Sequence, residues 1–205
     1  MPKGTPERTA ARKEEIINAC EKLYQTMSFK DITLKEIGNE TSFSRPTIYN
    51  YYQTKEEIFL ALFEREYVRW NDDVQTILQD NRKRTKTELA EKLAASIANR
   101  QQLLKLLAMN NYDMEENSRP ELLNSFKVAY GESIKNVCSI LTKFCPKKSE
   151  GEIQNIIYIF FPFMFGIYPY TAVTDKQKEA MTEANVDFVY QTVFEITNNC
   201  ILKLL

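Results

Sequence analysis

The chain contains no histidine among its 205 residues and only 5 glycines. Histidine is the usual general acid or base near neutral pH, and it is also the commonest metal ligand. The sequence also lacks a Gly-rich phosphate loop, a GxSxG nucleophile elbow and an acidic cluster with metal-ligand spacing. These absences argue against an enzyme, and they predict neither a metal site nor a cofactor.

Cysteine is scarce and is not arranged as a metal-binding or redox motif. Cys20, Cys138, Cys145 and Cys200 show no CxxC spacing. In a helical chain of this kind we expect reduced, mostly buried thiols, as in an intracellular protein. A redox switch is the minor alternative.

Long apolar runs are also missing. No apolar stretch follows a basic N-terminal segment, as it would in a secretory signal. The most apolar window, from Ile156 to Ile167, is too short to span a bilayer and contains Pro162. With 43% hydrophobic and 27% charged residues, the chain suits one or two helical domains of a cytoplasmic protein without a membrane partner.

An excess of positive charge is absent as well, because the net charge is −1. Residues 1–60 carry nine Lys and Arg side chains and nine Asp and Glu side chains. Any attraction for nucleic acid must therefore come from where the charges lie. Lys3, Arg8, Arg12 and Lys13 form a basic arm that suits DNA, although a solubilising tail explains it equally well.

The segment TLKEIGNETSFSRPTIYNYYQTKEE, residues 33–57, predicts two short helices joined by a tight turn. Thr33 is a good N-cap, and Glu36 completes a capping box, so the first helix starts near Leu34 and ends near Thr41. Gly38 costs roughly 1 kcal/mol relative to Ala inside a helix. Its presence indicates that another backbone, such as a crossing second helix, passes too close for a Cβ atom.

The second helix of this segment is predicted to begin at Arg45. Ser44 repeats the capping pattern, and Pro46 is tolerated in a first turn, where N–H groups have no intrahelical partner. Phe43 and Ile48 are expected to point inward.

The outward face of the second helix carries hydrogen-bonding groups, which are Arg45, Thr47, Tyr49 and Asn50. In helix-turn-helix proteins, side chains at this position of the second helix reach base edges in the major groove. An ordinary helical hairpin with a solvated polar face is the alternative. Solvent, however, does not require an exposed Pro46 or the rings of Tyr49 and Tyr51.

From about Arg12 to Phe63 the chain resembles the DNA-binding domain of the tetracycline-repressor (TetR) family of bacterial transcription regulators. The matching pieces are the first helix EEIINACEKLYQTMSF, the helix led by Thr33, and the phrase TIYNYY followed by KEEI. The resemblance implies contacts with bases or the adjoining backbone by Arg45, Pro46, Thr47, Tyr49 and Asn50. It implies phosphate contacts by Thr33, Tyr51 and Lys55.

The turn before the second helix departs from the family pattern. It reads Thr41-Ser42-Phe43 where the family usually has Ala or Gly. Ser42 is therefore expected to adopt the left-handed conformation at some energetic cost.

The rest of the chain repeats apolar residues at helical spacing. The expected helices run from Lys55 to about Gln79, Thr87 to Leu107, Pro120 to Phe144, Ser149 to about Pro169, and Lys176 to Leu205, with a break near Asn110 to Arg119. Strand-like alternation is scarce, so we predict an all-α fold. Residues 1–54 would form the helix-turn-helix DNA-binding domain, and residues 55–205 a larger helical ligand-binding and dimerisation domain.

Aromatic residues crowd the stretch IIYIFFPFMFGIYPY, residues 156–170. A kink at Pro162 could open an apolar ligand cavity between helices, but the same residues could be plain core or half of a dimer seam. The resemblance implies that the middle helices enclose a small-molecule pocket. The candidate lining residues are Trp70, Met109, Tyr112, Phe160, Phe163, Phe165 and Tyr168.

The last two predicted helices are apolar on more faces than a monomer needs. Two copies of such a helix pair can form a four-helix bundle across a two-fold axis. The resemblance implies the same arrangement, although a monomer with an unusually apolar core is an alternative. A dimer would place two recognition helices about 34 to 36 Å apart, one turn of DNA.

These observations predict a regulator that binds a palindromic site on double-stranded DNA as a homodimer. The resemblance implies that a small-molecule effector, whose identity the sequence does not reveal, releases a repressor. Two alternatives remain: a helical interaction or ligand-binding protein that has lost specific DNA binding, and, more weakly, an enzyme built on helical hairpins.

Overall fold

The structure is a computed structural model that describes residues 5–109 and 111–205. Over these ranges the helices are α1 (Pro6–Thr26), α2 (Leu34–Asn39), α3 (Arg45–Ile48), α4 (Lys55–Gln79), α5 (Lys86–Ala98), α6 (Gln101–Leu107), α7 (Asn111–Glu116), α8 (Pro120–Phe144), α9 (Glu150–Thr171), α10 (Asp175–Glu183) and α11 (Val193–Leu204). No β-strand occurs in the described ranges. The all-α prediction is confirmed.

The chain divides into two compact units, each built from two segments. Among the described residues, the first unit combines 5–65 with 111–128, and the second combines 66–109 with 129–205. Helices α4 and α8 each contribute residues to both units. The boundary between residues 54 and 55 divides the chain by expected role and stays a prediction.

The first unit is held together by one apolar face from each of its helices. Tyr24 of α1 packs edge-on against Phe59 of α4, with ring centroids 5.1 Å apart. Phe29, in the loop after α1, makes a similar contact with Phe59 at 4.8 Å. Ile37 of α2 and Ile48 of α3 are fully buried. Burying aliphatic side chains of this size stabilises a fold by about 1.5 to 3 kcal/mol each.

In the second unit, Trp70 of α4 is completely buried. Its indole N–H donates to Ser96 Oγ at 3.1 Å, so burial leaves no unpaired donor. The side chains of Asn71 and Asn136 are also buried and joined, because Asn136 Nδ2 donates to Asn71 Oδ1 at 3.1 Å. Helix α11 packs against α5 and α9, and α6 packs against α9.

Several predicted helix boundaries agree with the structure. Helix α4 spans Lys55–Gln79 and α8 spans Pro120–Phe144, as expected. Ser149 caps α9, and its side chain and Glu152 form a complete capping box. Pro162 and Pro169 both lie inside α9. No single described helix is long and apolar enough to cross a membrane, and α9 with α10 meets that test only as a pair bent by 83°.

One predicted helix of the middle region is wrong. The expected helix over residues 87–107 is interrupted between α5 and α6 at Asn99 and Arg100. Arg100 leaves the helical conformation, with φ −116° and ψ 50°, and its Nε donates to Asp73 Oδ2 at 2.6 Å. The expected break near residues 110–119 contains the short helix α7; residue 110 itself lies outside the described residues.

The predicted final helix from Lys176 to Leu205 is also wrong, because it consists of α10 and α11 separated by residues 184–192. Asn185 adopts the left-handed conformation with φ 54°, which ends the first helix. Thr192 then starts the second with a complete capping box to Glu195. The apolar spacing that predicted one helix therefore spans a break, and the linker side chains Phe188 and Val189 are exposed.

The four cysteines are free thiols; Cys20 is buried, but the other three are half-buried, so the predicted burial holds for Cys20 alone. Desolvation by burial raises the pKa of the Cys20 thiol far above its ordinary value, although the positive charge of Arg65 acts in the opposite direction. A protonated thiol is a poor nucleophile. Cys20 is therefore a core residue.

Candidate functional site

Helix α2 is capped by its own sequence. The Thr33 hydroxyl accepts hydrogen bonds from the backbone N–H groups of Lys35 at 3.2 Å and Glu36 at 3.5 Å. It also donates to the Glu36 carboxylate. Thr33 is exposed, so its side chain is accessible to a partner. Its predicted phosphate contact stays a prediction.

Gly38 lies where α2 and α3 come closest. A Cβ atom on Gly38 would stand 3.3 Å from Arg45 Cβ and 3.5 Å from Ile48 Cδ1. The two helices are close here, but the Arg45 backbone, whose Cα would lie 3.5 Å from that Cβ, is at ordinary contact distance. The tight contact is with the Arg45 side chain, which would have to shift by a few tenths of an ångström.

The turn between α2 and α3 does not use the left-handed conformation expected for Ser42. Within residues 5–109 and 111–205, Asn185 is the only non-glycine residue with positive φ. Side chains close the turn instead. The Thr41 hydroxyl lies 2.9 Å from the carbonyl oxygen of Gly38 and 3.1 Å from that of Phe43, and the Ser42 N–H donates to a carboxylate oxygen of Glu15.

Ser44 precedes α3 but does not cap it through its side chain, so that prediction is wrong. A capping hydroxyl accepts from the second or third N–H group of the helix. Here the second residue is Pro46, which has no N–H, and the third N–H, of Thr47, donates to the Ser44 carbonyl at 2.8 Å. The Ser44 hydroxyl lies 3.2 Å from the Thr47 hydroxyl instead.

Of the predicted base-reading residues, Arg45, Pro46 and Thr47 lie in α3, whereas Tyr49 and Asn50 lie in the turn after it, because the helix ends at Ile48, earlier than predicted. Together they form one solvent-facing surface, the α3 surface. Ile48 is fully buried beneath it. Arg45 Nη2 donates to the Tyr49 hydroxyl at 3.2 Å, which couples two side chains one helical turn apart. The remaining candidates are Pro46 and Asn50, both exposed, and Thr47, which is half-buried.

A further cation lies against this surface. Arg12 of α1 donates from Nη1 to the Tyr51 hydroxyl at 3.4 Å, and its guanidinium carbon lies 5.4 Å from the centroid of the Phe43 ring. The sequence placed Arg12 only in a basic arm. Its neighbours are about thirty and forty positions away, so local spacing carried no signal for this contact.

Lys55, a predicted phosphate contact, uses part of its hydrogen-bonding capacity within the protein. Nζ donates to the carbonyl oxygens of Phe29 at 2.8 Å and Ile32 at 3.1 Å, and it lies 4.2 Å from the centroid of the Phe29 ring. An ammonium group has three N–H donors, so one is left for a phosphate oxygen.

The stretch that leads from α3 to α4 is tied to a distant residue, Arg119. Arg119 Nε donates to Glu57 Oε1 at 2.7 Å, and Nη2 donates to Glu57 Oε2 at 2.9 Å and to the Tyr51 carbonyl at 2.9 Å. Burial of Glu57 acts to raise its pKa, but hydrogen bonds from Arg119 and the Gln53 backbone hold that pKa below its ordinary value. Sequence reasoning missed this pair because its members lie 62 positions apart.

The structure brings only part of the predicted ligand-lining set together. Trp70 and Phe160 are buried and both contact Phe161, with ring centroids 6.0 and 5.8 Å apart. Met109, Phe163 and Tyr168 are half-buried, and Phe165 and Tyr112 are exposed. Tyr112 belongs to the first unit, whereas the other six residues belong to the second.

A different part of the second unit holds an apolar cavity of about 230 Å³. Its lining residues come from the end of α9, from α10 and from the linker after it: Pro169, Tyr170, Val173, Gln177, Met181, Phe188 and Tyr190. None of them belongs to the predicted set. The sequence could not indicate this cavity because it predicted a continuous helix through residues 184–192.

Two family models match the chain. Residues 16–62 match "Bacterial regulatory proteins, tetR family", and residues 64–194 match "Tetracyclin repressor-like, C-terminal domain". Among curated proteins, an HTH-type transcriptional regulator of Bacillus subtilis, YfiR, is 33% identical over 63 residues. This match spans 31% of each chain, so the two are comparable over about a third of their lengths.

Solved structures share the fold along nearly the whole chain. A TetR-family transcriptional regulator from Mesorhizobium loti has a TM-score of 0.63 at 18% identity, with 96% of each chain covered. The regulator FadR from Bacillus subtilis, solved in complex with stearoyl-CoA, has a TM-score of 0.60 at 17% identity, covering 93% of this chain and 96% of that one. At these identities the likeness is one of fold.

Proposed function

Because the chain belongs to the TetR family of DNA-binding transcriptional regulators, we propose that it is a repressor that binds a palindromic operator as a homodimer. A small apolar or aromatic ligand would release it. The observation that carries this proposal is the surface of α3, where Arg45, Tyr49 and Asn50 are exposed above a fully buried Ile48.

The side chains of the α3 surface are suited to recognising a base sequence. Arginine can bond guanine O6 and N7 together, asparagine can bond adenine N6 and N7, and a threonine methyl can contact thymine. The hydrogen bond from Arg45 to Tyr49 restricts the guanidinium before DNA arrives. Restriction of a long side chain in its bound orientation lowers the entropic cost of binding.

The proposed homodimer forms through the apolar surface of α9 and the helices that follow. Tyr158 and Ile159, which are adjacent in α9, and Phe165, about two helical turns after Tyr158, are exposed. An apolar surface of this kind is stabilised by burial against a second copy. Two-fold pairing would present two α3 helices to successive turns of one duplex in the cytoplasm.

The proposed control is a linked equilibrium between two dimer conformations. An effector that binds one conformation more tightly than the other shifts the dimer toward that conformation. The resulting change in DNA affinity is limited by the ratio of the effector's affinities for the two conformations. Helix α4 contributes residues to both units, so a change in its tilt would move Tyr51 and Lys55 against the phosphates. The apolar cavity that Tyr170, Met181 and Phe188 help to line favours an apolar ligand group. The stearoyl-CoA bound by the Bacillus subtilis regulator makes long-chain acyl-CoA, which carries an apolar chain, the first probe to add.

The experiment is a gel-shift titration at several salt concentrations on the duplex that the full chain enriches from a random pool. Arg45→Ala is expected to weaken binding by about 1 to 3 kcal/mol and to relax preference at one base position. Lys55→Ala is expected to weaken binding to all duplexes alike and to flatten the salt dependence, because one phosphate contact is lost. Stearoyl-CoA should release the duplex from the wild-type chain.

Matched controls are Arg82→Ala and Lys147→Ala, which remove exposed cations of the second unit. Both should bind like the wild type. If the wild-type chain enriches no palindrome, the result favours the alternative function, an interaction protein that has this fold but no longer binds specific DNA sequences. If Arg45→Ala and Lys55→Ala both bind unchanged, the assignment of α3 is wrong.

A further inference from the structure

The stretch from Tyr51 to Thr54 connects α3 to α4 and follows the predicted DNA contacts directly. Its own backbone bonds end early: the N–H groups of Tyr51 and Tyr52 both donate to the Ile48 carbonyl, at 2.8 and 3.0 Å. Beyond them, the Gln53 N–H donates to Glu57 Oε2 at 2.7 Å. The shape of this stretch therefore depends on side chains that approach from elsewhere.

Arg119 supports this stretch once directly, at the Tyr51 carbonyl, and otherwise through Glu57. Its backbone N–H donates to Glu57 Oε1 at 3.2 Å, in addition to the two side-chain bonds to the same carboxylate. The Nη2 group also reaches the Tyr51 carbonyl at 2.9 Å. Glu57 is only 1% exposed, so its charge depends on these partners. One planar guanidinium thus joins the end of the α3 turn to a buried carboxylate on α4.

A second contact binds the same two segments. The Thr54 hydroxyl donates to the carbonyl oxygen of Asn117 at 3.0 Å, and the same hydroxyl accepts from the Glu57 N–H at 3.1 Å. Asn117 and Arg119 lie in the link between α7 and α8. This link therefore contacts both ends of the stretch from Tyr51 to Thr54.

We infer that Arg119 is a positioning residue for DNA binding: it holds the end of the α3 turn in the shape that presents Tyr49, Asn50 and Tyr51 to the duplex. The inference rests on the proposed function. A lysine could not replace it, because a single ammonium group cannot bond both carboxylate oxygens and the Tyr51 carbonyl in this planar arrangement.

Hydrogen exchange on the free protein tests the positioning directly. In Arg119→Ala and Arg119→Lys, the amides of residues 50–53 should exchange at least tenfold faster than in the wild type, whereas those of α1 should not change. The control, Arg82→Ala, removes an exposed arginine that also bonds a carboxylate through Nε and Nη2, and it should alter none of them. Unchanged exchange at residues 50–53 in both Arg119 variants would overturn the inference whether or not the chain binds DNA.

Affinity for the selected duplex tests the consequence. Both Arg119 variants should bind about tenfold more weakly, with the wild-type salt slope, because no phosphate contact is lost. In a Glu57→Ala background, adding Arg119→Ala should change affinity less than twofold, since the two residues act together.

Two outcomes would contradict this account. If Arg119→Ala reduced the salt slope by about one and Arg119→Lys restored both slope and affinity, Arg119 would be a phosphate contact, and the inference would be overturned. A wild-type chain that binds no duplex would refute the proposed function, and with it the role of Arg119 in DNA binding.

Thermal unfolding followed by circular dichroism separates both results from loss of the fold. If Arg119→Ala fails to fold, Arg119→Lys becomes the variant that tests the inference, because it keeps the positive charge beside Glu57. Its exchange rates and its affinity for the selected duplex then carry the same two expected results.

Discussion

Two exposed surfaces of this chain offer opposite chemistry. The α3 surface of the first unit presents directional polar groups, those of Arg45, Tyr49 and Asn50. The α9 surface of the second unit presents Tyr158 at 76% exposure and Ile159 at 51%. Polar groups can exchange water for a matching partner, whereas apolar area gains about 25 cal/mol per Å² from any close-fitting cover. The first surface therefore suits discrimination, and the second suits association.

The surfaces also differ in how they are supported. Helix α9 has 22 residues, a complete capping box and seven buried side chains along its length, which support it although Pro162 and Pro169 each remove a backbone bond. Helix α3 has four residues and no side-chain cap. It depends on the buried Ile48, on the close approach of Gly38, and on Arg119 beyond its end. The discriminating surface is thus the one whose shape is set by other parts of the chain.

The largest expected effect comes from removing the support beneath α3. Ile48→Ala deletes a fully buried side chain and should lower the free energy of unfolding by about 2 to 5 kcal/mol. Urea denaturation followed by circular dichroism measures it. Val68→Ala, at an exposed position of α4, is the control and should stay within about 0.5 kcal/mol of the wild type. A loss below about 1 kcal/mol for Ile48→Ala would mean that α3 does not depend on this contact.

A second variant tests the association surface. Ile159→Glu places a charge in the proposed dimer seam and should raise the dimer dissociation constant about a hundredfold or more, since burying an unpaired charge costs several kcal/mol. Sedimentation equilibrium measures the dissociation constant. Val128→Glu changes an equally apolar, exposed position on α8 and should leave the dimer intact. A dimer that tolerates Ile159→Glu would show that α9 is not its interface.

The smallest expected effect is a pH dependence at Glu57, whose pKa is below its ordinary value in the folded chain. A lowered folded-state pKa means that the carboxylate stabilises the fold above the unfolded value, about 4.3, and that this contribution is lost as pH falls through the folded value. The difference in unfolding free energy between wild type and Arg119→Ala should therefore be constant at neutral pH and shrink below about pH 4. Urea titrations at pH 7, 5 and 3.5 measure it. A difference that grows on acidification would contradict the role of the Glu57 carboxylate.

The sequence predicted those parts of the fold in which local chemistry decides the structure. Pro120 and the pair Cys145-Pro146 delimit α8, and the Gly38 contact could be expected from helix propensity alone. The α3 surface followed from the same reasoning. Each of these features is determined by residues only a few positions apart in the sequence.

The remaining features depend on longer distances or on competing local signals. The apolar spacing of Met181, Phe188 and Val193 fits one helix, yet the left-handed Asn185 interrupts it. The Thr192–Glu195 capping box was a visible sign of a new start that the spacing concealed. Ser44 shows the converse, since the missing N–H of Pro46 cancels a capping pattern that the sequence contains.

The central claim is that the first turn of α3 reads bases, and comparing the DNA motifs enriched by two chains tests it most directly. Wild type and Arg45→Ala are each taken through selection from a random duplex pool, followed by sequencing. We expect the wild type to enrich an inverted repeat with half-sites one helical turn apart, and Arg45→Ala to lose preference at one symmetric position in each half-site. Identical motifs from both chains would contradict the claim.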